Sequence, residues 1–291
     1  KLPEHFWSIF LDASPQHIVP HALEWMLDHS HFAVECLKAM GPQVFSQILA
    51  ESKRTLSGQR ASHVLIKGVV ECGSSFVESL VEFCPSLAHY VDSAGKTLLH
   101  RVLECVGDLD VLTCVEKLLG IFPDAAGLSD ASGQLPLHIA LNHRHSLAII
   151  GRLVAAFPLS VQTPNLSQQL PLHMSVGVEL IEHMLKCFPK AARMHDIHGR
   201  LPLHVALARE DDRVDFESCK KLLDAFPEGC RQEDLHGAVP LQLAVDRGVC
   251  PDIVMMLIAE DPSAIEQISW EHGPLHWMLS HHACDRTLQH F

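Results

Sequence analysis

The chain has 291 residues, of which 47% are hydrophobic and 20% charged, with a formal net charge of −13. That composition excludes a disordered polypeptide. No apolar run approaches the roughly 18 residues that span a bilayer, and an acidic chain without a basic patch argues against nucleic-acid binding. The puzzle is the 17 prolines. Much of the sequence reads as helical, and a proline inside a helix costs about 3 kcal/mol.

Residues 1–57 read as a divergent helical segment, with Pro20-His21-Ala22-Leu23 as a candidate degenerate repeat. From residue 58 onward one short string returns. It is degenerate at Gly58 to His63 and clearer as Gly95-Lys96-Thr97-Leu98-Leu99-His100. It is strongest at Gly133-Gln134-Leu135-Pro136-Leu137-His138, Gln168-Gln169-Leu170-Pro171-Leu172-His173 and Gly199-Arg200-Leu201-Pro202-Leu203-His204. Gly237-Ala238-Val239-Pro240-Leu241-Gln242 and Gly273-Pro274-Leu275-His276 follow. A second string precedes each copy: Cys84-Pro85, Phe122-Pro123, Phe157-Pro158, Phe188-Pro189, Phe226-Pro227 and Asp261-Pro262.

The spacing between the two strings is informative. From Cys84 to His100, Phe122 to His138, Phe157 to His173, Phe188 to His204 and Phe226 to Gln242 it is 16 residues, and from Asp261 to His276 it is 15. From each anchor forward to the next Phe it varies. One half of the unit therefore bridges a fixed distance, and the other half tolerates insertion, as at Glu210-Asp211-Asp212-Arg213.

Within each unit the pattern predicts two helices. The first is short, from Pro136 to about Asn142. The second carries a 3.6-residue apolar stripe of Leu147, Ile150, Leu153, Val154 and Phe157, with Ser146 as its expected N-cap. The stripe returns as Leu180, Ile181, Met184, Leu185 and Phe188, and again as Phe216, Cys219, Leu222, Leu223 and Phe226. Pro136, Pro171, Pro202, Pro240 and Pro274 fall at a first helical position, where a missing N–H costs nothing. The prolines after each Phe, Cys or Asp stop a second helix. Gly95, Gly133, Gly199 and Gly237 share one turn position where positive φ is expected.

These features resemble the ankyrin repeat. The residues that carry the resemblance are Asp-x-x-Gly-x-Leu-Pro-Leu-His from Asp130 to His138 and Asp196 to His204, with Gln ending the copy from Asp234 to Gln242. Ala140, Ala206 and Ala244 match the small residue between adjoining first helices. The resemblance implies an all-α solenoid of about seven repeats over 58–291, with hairpin or turn connections and a concave face of hairpin tips and first helices. The sequence departs from the family where Leu135, Leu170, Leu201 and Val239 replace the usual capping Thr, kept only at Thr97. The cap must then come from elsewhere. Phe-Pro also replaces the usual Gly-Ala, and the spacing is irregular.

The repeat anchors His63, His100, His138, His173, His204 and His276 are expected to bond backbone in the turn rather than to ligate metal. No phosphate loop, H-E-x-x-H or nucleophile elbow is present. The expectation is a non-catalytic chain with no cofactor and no metal site. The resemblance implies binding through Ser132, Gln134, Asn142, His143, Ile197, His198, Arg200, Arg209, Leu235, His236 and Arg247. Trp270, in the last hairpin, is added because Trp is favoured at interface hot spots. The expected role is a protein-protein interaction scaffold or adaptor. The alternatives are a constitutive structural subunit of a larger assembly and the non-catalytic part of an enzyme. The net charge points to a basic protein partner. Ten scattered cysteines without C-x-x-C read as reduced thiols, hence an intracellular location. The sequence opens on Lys1, so a targeting segment upstream is not visible.

Overall fold

The computed structural model describes residues 89, 91–92, 94–104, 111–209 and 215–267. The chain divides into two compact units, Lys1–Ser160 and Val161–Phe291. The described residues are all-α: they form ten α-helices and five short 3-10 turns, with a single isolated bridge between Val91 and Thr97 in place of any strand. None of these helices is long and apolar enough to cross a membrane.

The first unit contains α1 (Leu98–Glu104), α2 (Val111–Ile121), α3 (Pro136–Asn142) and α4 (Leu147–Ala156). Helix α1 packs on α2 and α3, and α4 packs on α2 and α3. Leu99, Leu103, Leu118, Leu135, Leu137, Ile150 and Leu153 fill the core. The second unit contains α5 (Pro171–Met174), α6 (Val178–Cys187), α7 (Pro202–Leu207), α8 (Phe216–Ala225), α9 (Pro240–Asp246) and α10 (Pro251–Glu260). Short helices pack on short ones, α5 on α7 and α7 on α9. Long helices pack on long ones, α6 on α8 and α8 on α10. The insertion Glu210–Arg213 lies outside the described residues.

The prolines stand where local stereochemistry wants them. Pro136, Pro171, Pro202 and Pro240 open the short helices. Each follows an extended residue, such as Leu135 with φ −75° and ψ 160°, the conformation that a following proline imposes. The long helices end at the residue before Phe157, Phe188, Phe226 and Asp261. Phe157 still donates its N–H to Leu153 O at 3.0 Å, but it has left the helical region with φ −138°. The next proline begins a 3-10 turn, and the Phe carbonyl accepts the first N–H of that turn, as from Ala191 N to Phe188 O at 3.1 Å. The Phe-Pro pair thus both stops one helix and starts a turn.

Two sequence expectations need correction. Leu147 was expected on the buried stripe but is 41% exposed; the buried residues of α4 are Ile149, Ile150 and Leu153. The stripe is rotated because α4 must meet both α2 and α3. Ser146 occupies the N-cap but its hydroxyl makes no capping bond. In α8 the cap is a real one: Asp215 accepts from Glu217 N and Ser218 N.

Candidate functional site

Between each 3-10 turn and the next short helix the chain makes a tight hairpin. Its builder is the first residue of the Asp-x-x-Gly motif. Asp196 Oδ1 accepts the backbone N–H groups of His198 and Arg200, each at 2.9 Å. Asp130 accepts those of Ser132 and Gln134 at 2.8 and 2.9 Å, and Asp234 those of His236 and Ala238 at 2.8 and 3.0 Å. Asp92 does the same with Ala94 and Lys96, and Asn165 bonds Gln169 N. The main chain closes the same loop, as from Asp196 N to Arg200 O at 2.9 Å. An Asx side chain that satisfies two backbone donors is a strong local turn former.

The glycines obey a second constraint. Gly199 sits at φ +72°, and a Cβ there would lie 3.0 Å from Leu235 N in the next hairpin. Gln168 takes the equivalent place at φ +57°. Neighbouring hairpins are tied through their main chains. Ile197 N donates to Ser167 O and Leu235 N to His198 O, both at 3.0 Å. In the first unit Ala131 N donates to Ala94 O at 2.9 Å.

Three anchor histidines, His100, His173 and His204, lock the tips to the helices behind them. The Nδ1 of His173 accepts the N–H of Leu170 at 3.1 Å, and that of His204 accepts Leu201 N at 3.2 Å. His100 Nδ1 likewise accepts the N–H of Thr97 at 3.2 Å, and there the Thr97 hydroxyl adds a further contact to the ring at 2.8 Å. The leucines released from capping are buried. With Nδ1 accepting, Nε2 carries the proton and donates onward: His100 to Gln134 O at 3.1 Å, His173 to Arg200 O at 3.2 Å and His204 to Gln232 O at 3.0 Å. Burial lowers the pKa of all three below the ordinary 6.5, against the opposing pull of those carbonyls.

Burial pushes the Asp196 carboxyl upward, but the Arg200 guanidinium and the backbone donors of Arg200 and His198 outweigh it, so its pKa is lowered. Arg200 Nη2 lies 2.8 Å from Asp196 Oδ2. The carboxylate is therefore spent on the turn and does not face solvent.

The expected binding residues divide by unit. In the first, Ser132, Asn142 and His143 are exposed, while Gln134 is half-buried and bonds Asn142 Nδ2 at 3.5 Å. In the second, Ile197, His198, Leu235, His236 and Arg247 are exposed. Arg200 is half-buried over Asp196, and Arg209 donates to the carbonyl of His173 at 3.1 Å. Trp270 lies outside the described residues. Sequence reading missed Leu166, which stands after Asn165 as Ile197 stands after Asp196. Leu166, Ile197 and Leu235 are 67%, 54% and 73% exposed, and Met194 joins them on the arm entering the second of these tips. The signal was present: all three are apolar at one motif position. Asn165 and Gln168 in place of Asp and Gly hid the first of them. Among the described residues no group of three or more His, Cys, Asp or Glu is placed to hold a metal ion.

Set beside known proteins, the sequence matches no protein-family model and no curated protein.

Proposed function

We propose that this chain is a divergent ankyrin-like helical-repeat scaffold that binds protein partners through its hairpin tips and first helices, without catalysis of its own. The observation that carries the reading is the row Leu166, Ile197 and Leu235 on three successive tips. Full burial of an aliphatic side chain is worth about 1.5–3 kcal/mol, and each of these forgoes the share that its exposure represents. Repeated exposure at one position of a rigid turn is the signature of a surface kept for a partner. The Asx turns, left-handed glycines and histidine locks support this role, because they hold the tips still and so lower the ordering cost of binding. Buried free thiols at Cys114, Cys219 and Cys230 support an intracellular location.

The test is site-specific photo-cross-linking in native extract. A photoreactive residue replaces Leu235, and a control replaces the exposed Glu228. Discrete protein adducts at position 235 and none at 228 are expected. Equal or absent labelling at both positions overturns the reading. A changing set of adducts fits an adaptor, and one stoichiometric set fits a structural subunit.

A further inference from the structure

One face of α6 carries a pair of side chains that the tips do not use. His183 and Cys187 stand four residues apart on this helix, and residues at that spacing are neighbours on one helix face. Cys187 Sγ lies 4.0 Å from His183 Nε2. The thiol is exposed and the imidazole half-buried, so solvent reaches both.

A thiolate and an imidazole nitrogen are donors that zinc favours. Bonds of about 2.3 Å to sulfur and about 2.0–2.1 Å to nitrogen hold two such donors about 3.6 Å apart at the tetrahedral angle, and about 4.4 Å apart when they face each other across the metal. The observed separation falls between these limits, with sulfur and ring nitrogen already turned toward each other. The position on the helix favours a cation as well. Cys187 is the last residue of α6, and the C-terminal end of a helix carries partial negative charge. Lys186, the basic residue of that turn, is one position away and so about 100° round the helix. Among the described residues no third His, Cys, Asp or Glu completes the set.

We infer that His183 and Cys187 form a two-donor site for a zinc ion, with water in the other two tetrahedral positions. On binding, Cys187 Sγ bonds the ion as a thiolate and its proton passes to solvent. His183 Nε2 gives its lone pair, and the ring keeps its proton on Nδ1. This departs from the metal-free chain expected from the sequence, because a His and a Cys four residues apart carry no motif and only the helix brings them to one face. The site stands independently of the scaffold reading.

The test is iodoacetamide alkylation of the full folded chain with and without zinc chloride, followed residue by residue by peptide mass spectrometry. Cys250 is the internal control, exposed and without a histidine four residues away. Zinc is expected to slow alkylation of Cys187 about tenfold and to change that of Cys250 less than about twofold. His183→Gln should raise the zinc concentration needed for protection about tenfold. A second readout is the thiolate-to-cadmium absorbance that appears when cadmium is added; Cys187→Ser should lower it by one thiolate equivalent. Unchanged circular-dichroism melting shows that both variants remain folded. Equal slowing at Cys187 and Cys250, full protection of Cys187 kept in His183→Gln, or no slowing in excess zinc each overturns the inference. None of these outcomes bears on the cross-linking at position 235.

Discussion

The Nε2 of His173 lies 3.2 Å from the carbonyl oxygen of Arg200, 27 residues further along the chain. The same ring accepts the N–H of Leu170 at its other nitrogen. One side chain therefore caps the helix it stands on and ties the next hairpin to it.

Removing that ring leaves the buried N–H of Leu170 without its partner, while the Arg200 carbonyl keeps the N–H of Asp196. His173→Ala should destabilise the protein by about 1–3 kcal/mol, the cost of one orphaned buried group. Urea unfolding followed by circular dichroism reads the shift. A midpoint within error of the parent protein would show that the ring is replaceable by water.

Acid should loosen the fold in a defined window. His100, His173 and His204 have folded pKa values below the ordinary 6.5, chiefly from burial. Below 6.5 the unfolded chain takes up protons that the folded chain refuses. Their contribution is therefore complete above pH 6.5 and is lost as the pH falls from there through the folded values. Each histidine adds at most about 1.4 kcal/mol per pH unit. The urea midpoint should be flat from pH 8 to 7 and fall between 6.5 and 5.5. A midpoint unchanged at 5.5 would contradict the neutral, doubly bonded assignment. Asp196, whose pKa is lowered from 3.8, adds a separate loss only below that value.

Two glycine substitutions should move stability in opposite directions. Gly199→Ala forces a side chain into positive φ and against Leu235 N, and should cost about 1–3 kcal/mol. Gly151→Ala, within α4, meets nothing within 4 Å and should stabilise by about 0.5–1 kcal/mol. Thermal melts of the two variants check this. Equal shifts would mean that the hairpins do not approach as closely as described.

Thiol reactivity should follow burial. The Cys219 thiol is pushed up to about 12 by burial, with the Asp215 charge adding to it. Cys114 and Cys230 are buried as well, whereas Cys187 and Cys250 are exposed. Iodoacetamide on the folded chain should modify Cys187 and Cys250 and spare the other three until urea is added. Peptide mass spectrometry reads this directly. Rapid modification of Cys219 in the native protein would refute its burial.

What the sequence by itself determined is what neighbours along the chain decide. Pro136, Pro171, Pro202 and Pro240 open helices because a fixed φ and a missing N–H suit only that position. Phe-Pro closes helices because proline bars its predecessor from the helical region. These are constraints between adjacent residues, so among the described residues most of the prolines that read as an obstacle to helices mark helix boundaries. The tertiary structure decided matters that depend on residues 30 or so apart. It gave His100, His173 and His204 their second partner, rotated Leu147 out of the core and left Leu166, Ile197 and Leu235 in water. Periodicity shows that a residue is apolar. Whether that residue is covered depends on what packs over it, and only the folded chain supplies that.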